Sequence, residues 1–175
     1  MQQCCDLGAA NGIVAETVGA VALDGQPVSS SRIRDALKAG DPGTATRLLT
    51  RPFAIEGVVI HGDKRGRELG WPTANVELGS YQRPAFGIYA VRVRLDDNSE
   101  HDGVANLGVR PMFDPPRELL ETVLFDWKGD LYGRTIEVAL HHFLRPEMKF
   151  DGMDALKVQM DADAAEARSL LSPSP

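Results

Sequence analysis

Cysteine is scarce in this 175-residue chain: it has two, Cys4 and Cys5, side by side. Adjacent cysteines cannot staple distant segments, so a disulfide framework is excluded and a reducing, cytoplasmic setting is expected. No apolar run approaches the ~20 residues of a membrane span, and no signal-peptide pattern opens the chain. A basic excess is also missing. Nineteen Lys and Arg stand against 25 Asp and Glu, for a net charge of −6. That argues against a nucleic-acid or membrane partner, while leaving room for a local basic pocket. Histidine is rare, and His61, His101, His141 and His142 show neither HxH nor HExxH spacing. A catalytic zinc, which wants three convergent ligands, is not expected. P-loop and GxGxxG fingerprints are absent too.

What is present is an ordinary globular composition, 43% hydrophobic, with enough apolar material for a core. Its most unusual stretch is HGDKRGRELGWPTAN, His61 to Asn75. Gly62, Gly66 and Gly70 recur every fourth residue, with Lys64, Arg65 and Arg67 between them. Glycines let backbone N–H groups approach an anion, and cationic side chains complete such a cradle. Pro72 fixes its own φ and holds Trp71 extended. In an extended Thr73–Asn75 the two terminal side chains leave the backbone on one side. A hydroxyl beside an amide carbonyl suits Mg²⁺, which usually keeps waters and phosphate oxygens as its other ligands. The same stretch also reads as a glycine-rich turn with exposed charges.

Around it the pattern changes twice. Residues 13–22 alternate weakly and predict a strand, and Asp24-Gly25 predicts a turn. Serines 29–31 lead into a short helical run ending at Gly40, with Ser30 or Ser31 as N-cap or as part of a phosphate site. Asp41-Pro42 opens a second short helix running to about residue 50. From Phe53 the period becomes two. Strands are expected at 53–61, 87–95, 100–107, 119–127 and 135–144, which suggests an antiparallel barrel or sandwich. Met153, Leu156, Met160, Ala164, Ala167 and Leu171 then form one helical stripe, with Asp151 as candidate N-cap and Asp163 off the stripe.

Within the strand 119–125, Glu121 shares a face with Leu119, Val123 and Phe125. A carboxylate among apolar neighbours is costly unless it is bonded, metal-linked or at a cavity mouth. Glu121 therefore reads either as a general base or as an edge residue facing water.

The glycine stretch resembles the GxxxGRxLGxPTAN signature of riboflavin kinases, in particular the kinase module of bifunctional bacterial riboflavin kinase/FMN adenylyltransferases. The segment LETVLFDWKGDLYG resembles that family's LExHLLDFxxDLYG motif, with Val123 where histidine is frequent. Asn106 to Phe113, NLGVRPMF, resembles NIGxRPTF, with Met112 in place of threonine. Arg145, Glu147, Lys149, Phe150 and Leu156 match a later family segment that borders the flavin. At the other end, SSSRIR resembles the ISSTxIR motif of the nucleotidyltransferase superfamily. No histidine precedes His61, so the HxGH-type motif of that chemistry is missing.

The resemblance implies a mainly β fold: a closed antiparallel Greek-key barrel of about six strands with a C-terminal α-helix, after a short α/β remnant. It implies a remnant at 1–35 without FAD-forming activity, a helical linker at 36–52, a kinase domain at 53–171 and a tail at 172–175. The implied reaction transfers the ATP γ-phosphoryl group to the 5′-hydroxyl of riboflavin, giving FMN and ADP. Gly62, Lys64, Gly66, Arg67 and Gly70 would hold phosphates; Thr73 and Asn75 would hold Mg²⁺; Glu121 would be the base. Asn106, Arg145, Glu147 and Phe150 would contact ligand. The rival readings are a non-catalytic flavin- or nucleotide-binding module, and self-association through the N-terminal remnant.

Overall fold

The computed structural model describes residues 2–14, 18–62, 73–110 and 116–172. The chain divides into two compact units, Met1–Ser30 and Ser31–Pro175.

In the first unit, helix α1 (Gln2–Ala10) precedes a minimal hairpin of β1 (Ala22–Leu23) and β2 (Gln26–Pro27). Asp24 and Gly25 form its turn, both at positive φ. The strand expected over residues 13–22 is not formed: its described residues are irregular up to Ala22. Ile13, Val14, Val18 and Val21 are all exposed. An alternating segment without a neighbour to pair with gains no ladder and no core.

The second unit is built on a barrel. Helices α2 (Ser30–Lys38) and α3 (Pro42–Leu49) come first and bury Leu37, Ala45 and Leu48. Asp41 caps α3, its Oδ1 accepting the Thr44 N–H at 2.8 Å. That bond holds the Asp41 carboxyl below its usual range. The pair is seated on the barrel: α3 packs against β3 and β8, and the Ala85 N–H donates to the Leu37 carbonyl at 2.9 Å.

Six antiparallel strands follow: β3 (Phe53–Val58), β4 (Ala74–Glu77), β5 (Gly87–Leu95), β6 (Glu100–Arg110), β7 (Arg117–Leu124) and β8 (Thr135–Arg145). Their order in the sheet is β3-β8-β5-β6-β7-β4. Strands β5, β6 and β7 run as a meander and β8 returns beside β5, which is a Greek key. The edge strands meet where the Ile60 N–H donates to the Asn75 carbonyl at 2.9 Å, so the sheet nearly closes on itself. Alternate residues fill the inside, among them Ile55, Val76, Tyr89, Val91, Val93, Leu107, Leu120 and Val138. This is the period-2 pattern of one buried face.

Helix α4 (Met153–Leu171) lies on the outside. Its Ala164, Ala167 and Leu171 pack with Ala90 and Phe125, flanked by Val104 and Leu144. Two expectations are corrected here. The N-cap is Gly152, not Asp151, because the first turn closes from the Leu156 N–H to the Gly152 carbonyl. The expected stripe is buried only in its second half; Met153 is exposed, and Asp163, placed off the stripe, is buried. Arg145 explains Asp163: its Nε and Nη2 reach the two carboxylate oxygens at 2.8 and 2.6 Å.

Candidate active site

Three polar residues stand abreast on the outer face of β4, β7 and β6. Asn75 is the register partner of Glu121, and Glu121 is the register partner of Asn106. Directly opposed residues project from the same face of a sheet. Their chain neighbours Ala74, Val76, Leu120, Ala105 and Leu107 point into the barrel core. The carboxylate therefore sits between two amides.

Burial makes this row unusual. Asn75 is 1% exposed, and the side-chain oxygens of Asn75 and Asn106 are buried with no hydrogen-bond partner among the described residues. Asn75 engages only its amide nitrogen, 3.5 Å from the Thr73 carbonyl. A buried acceptor left unpaired costs about 1–3 kcal/mol, so the row is not explained by stability. Its chemistry is that of hard oxygen donors, which fit a divalent cation or a hydroxyl. Gly62 lies against the same amide: a Cβ there would stand 2.9 Å from Asn75 Cγ. Only glycine lets the entrance of the glycine stretch approach so closely.

Glu121 is held from the side. Arg110 Nη2 donates to Glu121 Oε2 at 2.8 Å, and Arg110 Nη1 donates to Glu147 Oε1 at 3.1 Å. The Arg110 side chain is 16% exposed. The hydrogen bond to Glu121 raises the affinity of its guanidinium for its proton above the usual, against the opposing effect of burial. Glu147 comes close because Gly108 has no side chain; a Cβ there would stand 2.7 Å from Glu147 Cδ.

A cleft of about 220 Å³ is lined by Thr73, Ala74, Trp127, Leu131 and Tyr132 among others; Asn75, Asn106 and Glu121 are not in its lining. His61 stacks on Tyr132, ring centroids 3.8 Å apart. Thr73 precedes β4 and faces this cleft, whereas Asn75 belongs to the strand.

The structure thus brings Gly62, Thr73, Asn75, Asn106, Glu121 and Glu147 into one region. Arg145 is engaged elsewhere, with Asp163 and with the ring of Phe150 at 5.8 Å. Lys64, Gly66, Arg67, Gly70 and Met112 lie outside the described residues. Val123, in the position where histidine was expected from the resemblance, is buried at 6% exposure. Arg110 is the residue that reading by sequence passed over. Its signal was present: it lies four residues after Asn106 in one strand, hence on the same face.

The family described as flavokinase, riboflavin kinase, matches residues 49–171. The chain belongs to the riboflavin kinase family. The bifunctional riboflavin kinase/FMN adenylyltransferase of Pseudomonas fluorescens is 46% identical over 168 residues, 95% of this chain and 54% of that protein. That of Haemophilus influenzae is 42% identical over 161 residues, 92% of this chain and 52% of the relative. The chain spans about half the length of the curated relatives it matches. A crystal structure of a Streptococcus pneumoniae protein, described as a macrolide-efflux protein, superposes with a TM-score of 0.82 at 34% identity. That match covers 95% of this chain and 55% of the other. No helix among the described residues is long and apolar enough to cross a membrane.

Proposed function

We propose that the chain phosphorylates the 5′-hydroxyl of riboflavin with ATP, forming FMN and ADP. The observation that carries this reading is the row itself: a carboxylate flanked in register by two buried amide oxygens that lack partners. Phosphoryl transfer to an alcohol needs little covalent help from a protein; it needs positioning, charge stabilisation and a proton acceptor.

Each need has a candidate. Glu121 accepts the hydroxyl proton as the alcohol oxygen attacks the γ-phosphorus and the bond to the ADP oxygen breaks. Arg110 leaves Oε1 of Glu121 without a hydrogen bond among the described residues, the oxygen that would face the alcohol. Asn106 offers its amide oxygen as an acceptor to another hydroxyl of the same substrate. The aromatic and aliphatic cleft beside Thr73 is suited to a purine base, which would place the phosphates toward Asn75. The glycine stretch entered at Gly62 would cradle them.

The residues also fit Mg²⁺. Among the described residues no group of three or more His, Cys, Asp or Glu could cage a metal. Thr73 and Asn75 would supply one or two neutral oxygens, and an ion that draws its other ligands from water and phosphate suits that set. When bound, such an ion neutralises charge on the transferring phosphoryl group.

The test mixes the protein with riboflavin, ATP and Mg²⁺ and follows FMN by chromatography and ADP by a coupled assay. Equal yields of FMN and ADP are expected. Flavin binding without ADP release would favour a non-catalytic flavin-binding module instead.

A further inference from the structure

We propose that Arg110 is a positioning residue, whose guanidinium, divided between Glu121 and Glu147, holds the carboxylate of the base in its reactive orientation. The inference rests on the kinase reading above and extends it to a residue outside the reacting set.

Glutamate has three rotatable side-chain bonds, so a base on a strand does not orient itself. The two neighbours of Glu121 in register make no hydrogen bond to it among the described residues: the Asn75 amide nitrogen turns to the Thr73 carbonyl, and the side-chain oxygens of Asn75 and Asn106 cannot donate. Among the described residues Arg110 supplies the hydrogen bond that fixes the Glu121 carboxylate. Arg110 is fixed in turn. Its second terminal nitrogen is bound to Glu147, and Glu147 is seated against Gly108 on the same strand as Arg110. A planar guanidinium with two terminal nitrogens can join two carboxylates at a set angle, which an ammonium cannot do.

Two other cations among the described residues already have carboxylate partners. Glu77 pairs with Arg117 at 2.7 Å, and Arg145 pairs with Asp163. Neither cation is placed to substitute for Arg110. Nor is Arg110 arranged as a phosphate ligand, since both terminal nitrogens are committed to carboxylates and its side chain is mostly covered. Misplacement of a reacting group by about 1 Å can cost on the order of 10²-fold in rate, so a lost orienting bond is measurable.

The experiment is a kinetic cycle. Turnover is measured for the wild type, Arg110→Gln, Glu121→Gln and the double variant, with riboflavin binding followed by quenching of flavin fluorescence. The expected result is an Arg110→Gln loss of about tenfold or more in kcat, with KM for riboflavin and ATP within about threefold. In the Glu121→Gln background the same change should cost nothing further, because the group it orients is gone. Glu147→Gln should show a smaller kcat loss of the same kind. Equal Arg110→Gln losses in both backgrounds, or a raised KM with unchanged kcat, would overturn the inference while leaving the kinase reading intact. A wild type that makes no FMN overturns both. If Arg110→Gln does not fold, Arg110→Lys keeps the charge without the bridging geometry and is judged by the same comparison.

Discussion

One outer sheet face carries two neighbourhoods that are treated in opposite ways. Toward α4 it presents Ala90, Val104 and Phe125, and the helix covers them with Ala164, Ala167 and Leu171. A few residues away it presents Asn75, Glu121 and Asn106, buried or half-buried but without mutual hydrogen bonds. The first is closed by small residues that let a helix approach; even its charged member, Asp163, is matched on both oxygens by Arg145 and again by Gln159. The second keeps acceptors unmatched. Burial is common to both, so burial alone does not mark a site. Unmatched polar atoms beside a carboxylate do.

This contrast can be broken from either side. The largest effect is expected on the helix side. Asp163→Ala leaves Arg145 uncompensated, and removing one partner of a buried pair costs about 3 kcal/mol or more; urea or thermal unfolding should show it as a clear loss of stability. On the polar side the order reverses. Glu121→Gln should lower kcat by at least ~10²-fold while leaving the unfolding transition within error of the wild type. Near-normal turnover would remove Glu121 from the reaction, and a large stability loss would make the row structural.

The smallest effect is a pH dependence near the end of α4. There Arg92 donates to the Leu171 carbonyl at 3.3 Å and to Asp102 at 2.9 Å. Burial lowers the pKa of His141, with Arg92 and His142 adding to the shift and Asp102 and Glu100 opposing it. A group that binds its proton less readily when folded contributes stability above its unfolded pKa of about 6.5 and loses it as pH falls through the folded value. Stability should therefore decline modestly below about pH 6.5, and His141→Gln should flatten that decline. An identical acid profile for the variant would show that other groups govern it.

Five of the six barrel strands were legible in the sequence because alternation of apolar residues and turn residues such as Asp96-Asp97-Asn98 mark them locally; β4, only four residues long, was not read as a strand. Residues 87–95 were read with the bounds the structure has. Locally weak signals failed. QQCCDLGAA carries no clear apolar stripe, and the helix it forms was not expected. The stripe of α4 was read whole, yet only part of it meets the barrel. Asp163 was misplaced because its partner, Arg145, comes from another element. The same limit applies to the site. Asn75 and Glu121 were each singled out by chemistry, but their pairing follows from strand order, and the role of Arg110 is visible only once β6 lies beside β7.

The order of strands also bears on how the molecule is made. Residue 53 pairs with residue 140, and residue 75 with residue 121. A ribosome must therefore release almost the whole barrel before its first strand finds a neighbour. Until then β3 waits for its ladder, whereas β4 can pair as soon as β7 emerges, and long-range pairings of this kind close slowly. The polar row needs only β4, β6 and β7, so it can form before β8 and α4 have emerged, and a nascent chain stalled before Glu121 has strands but no row.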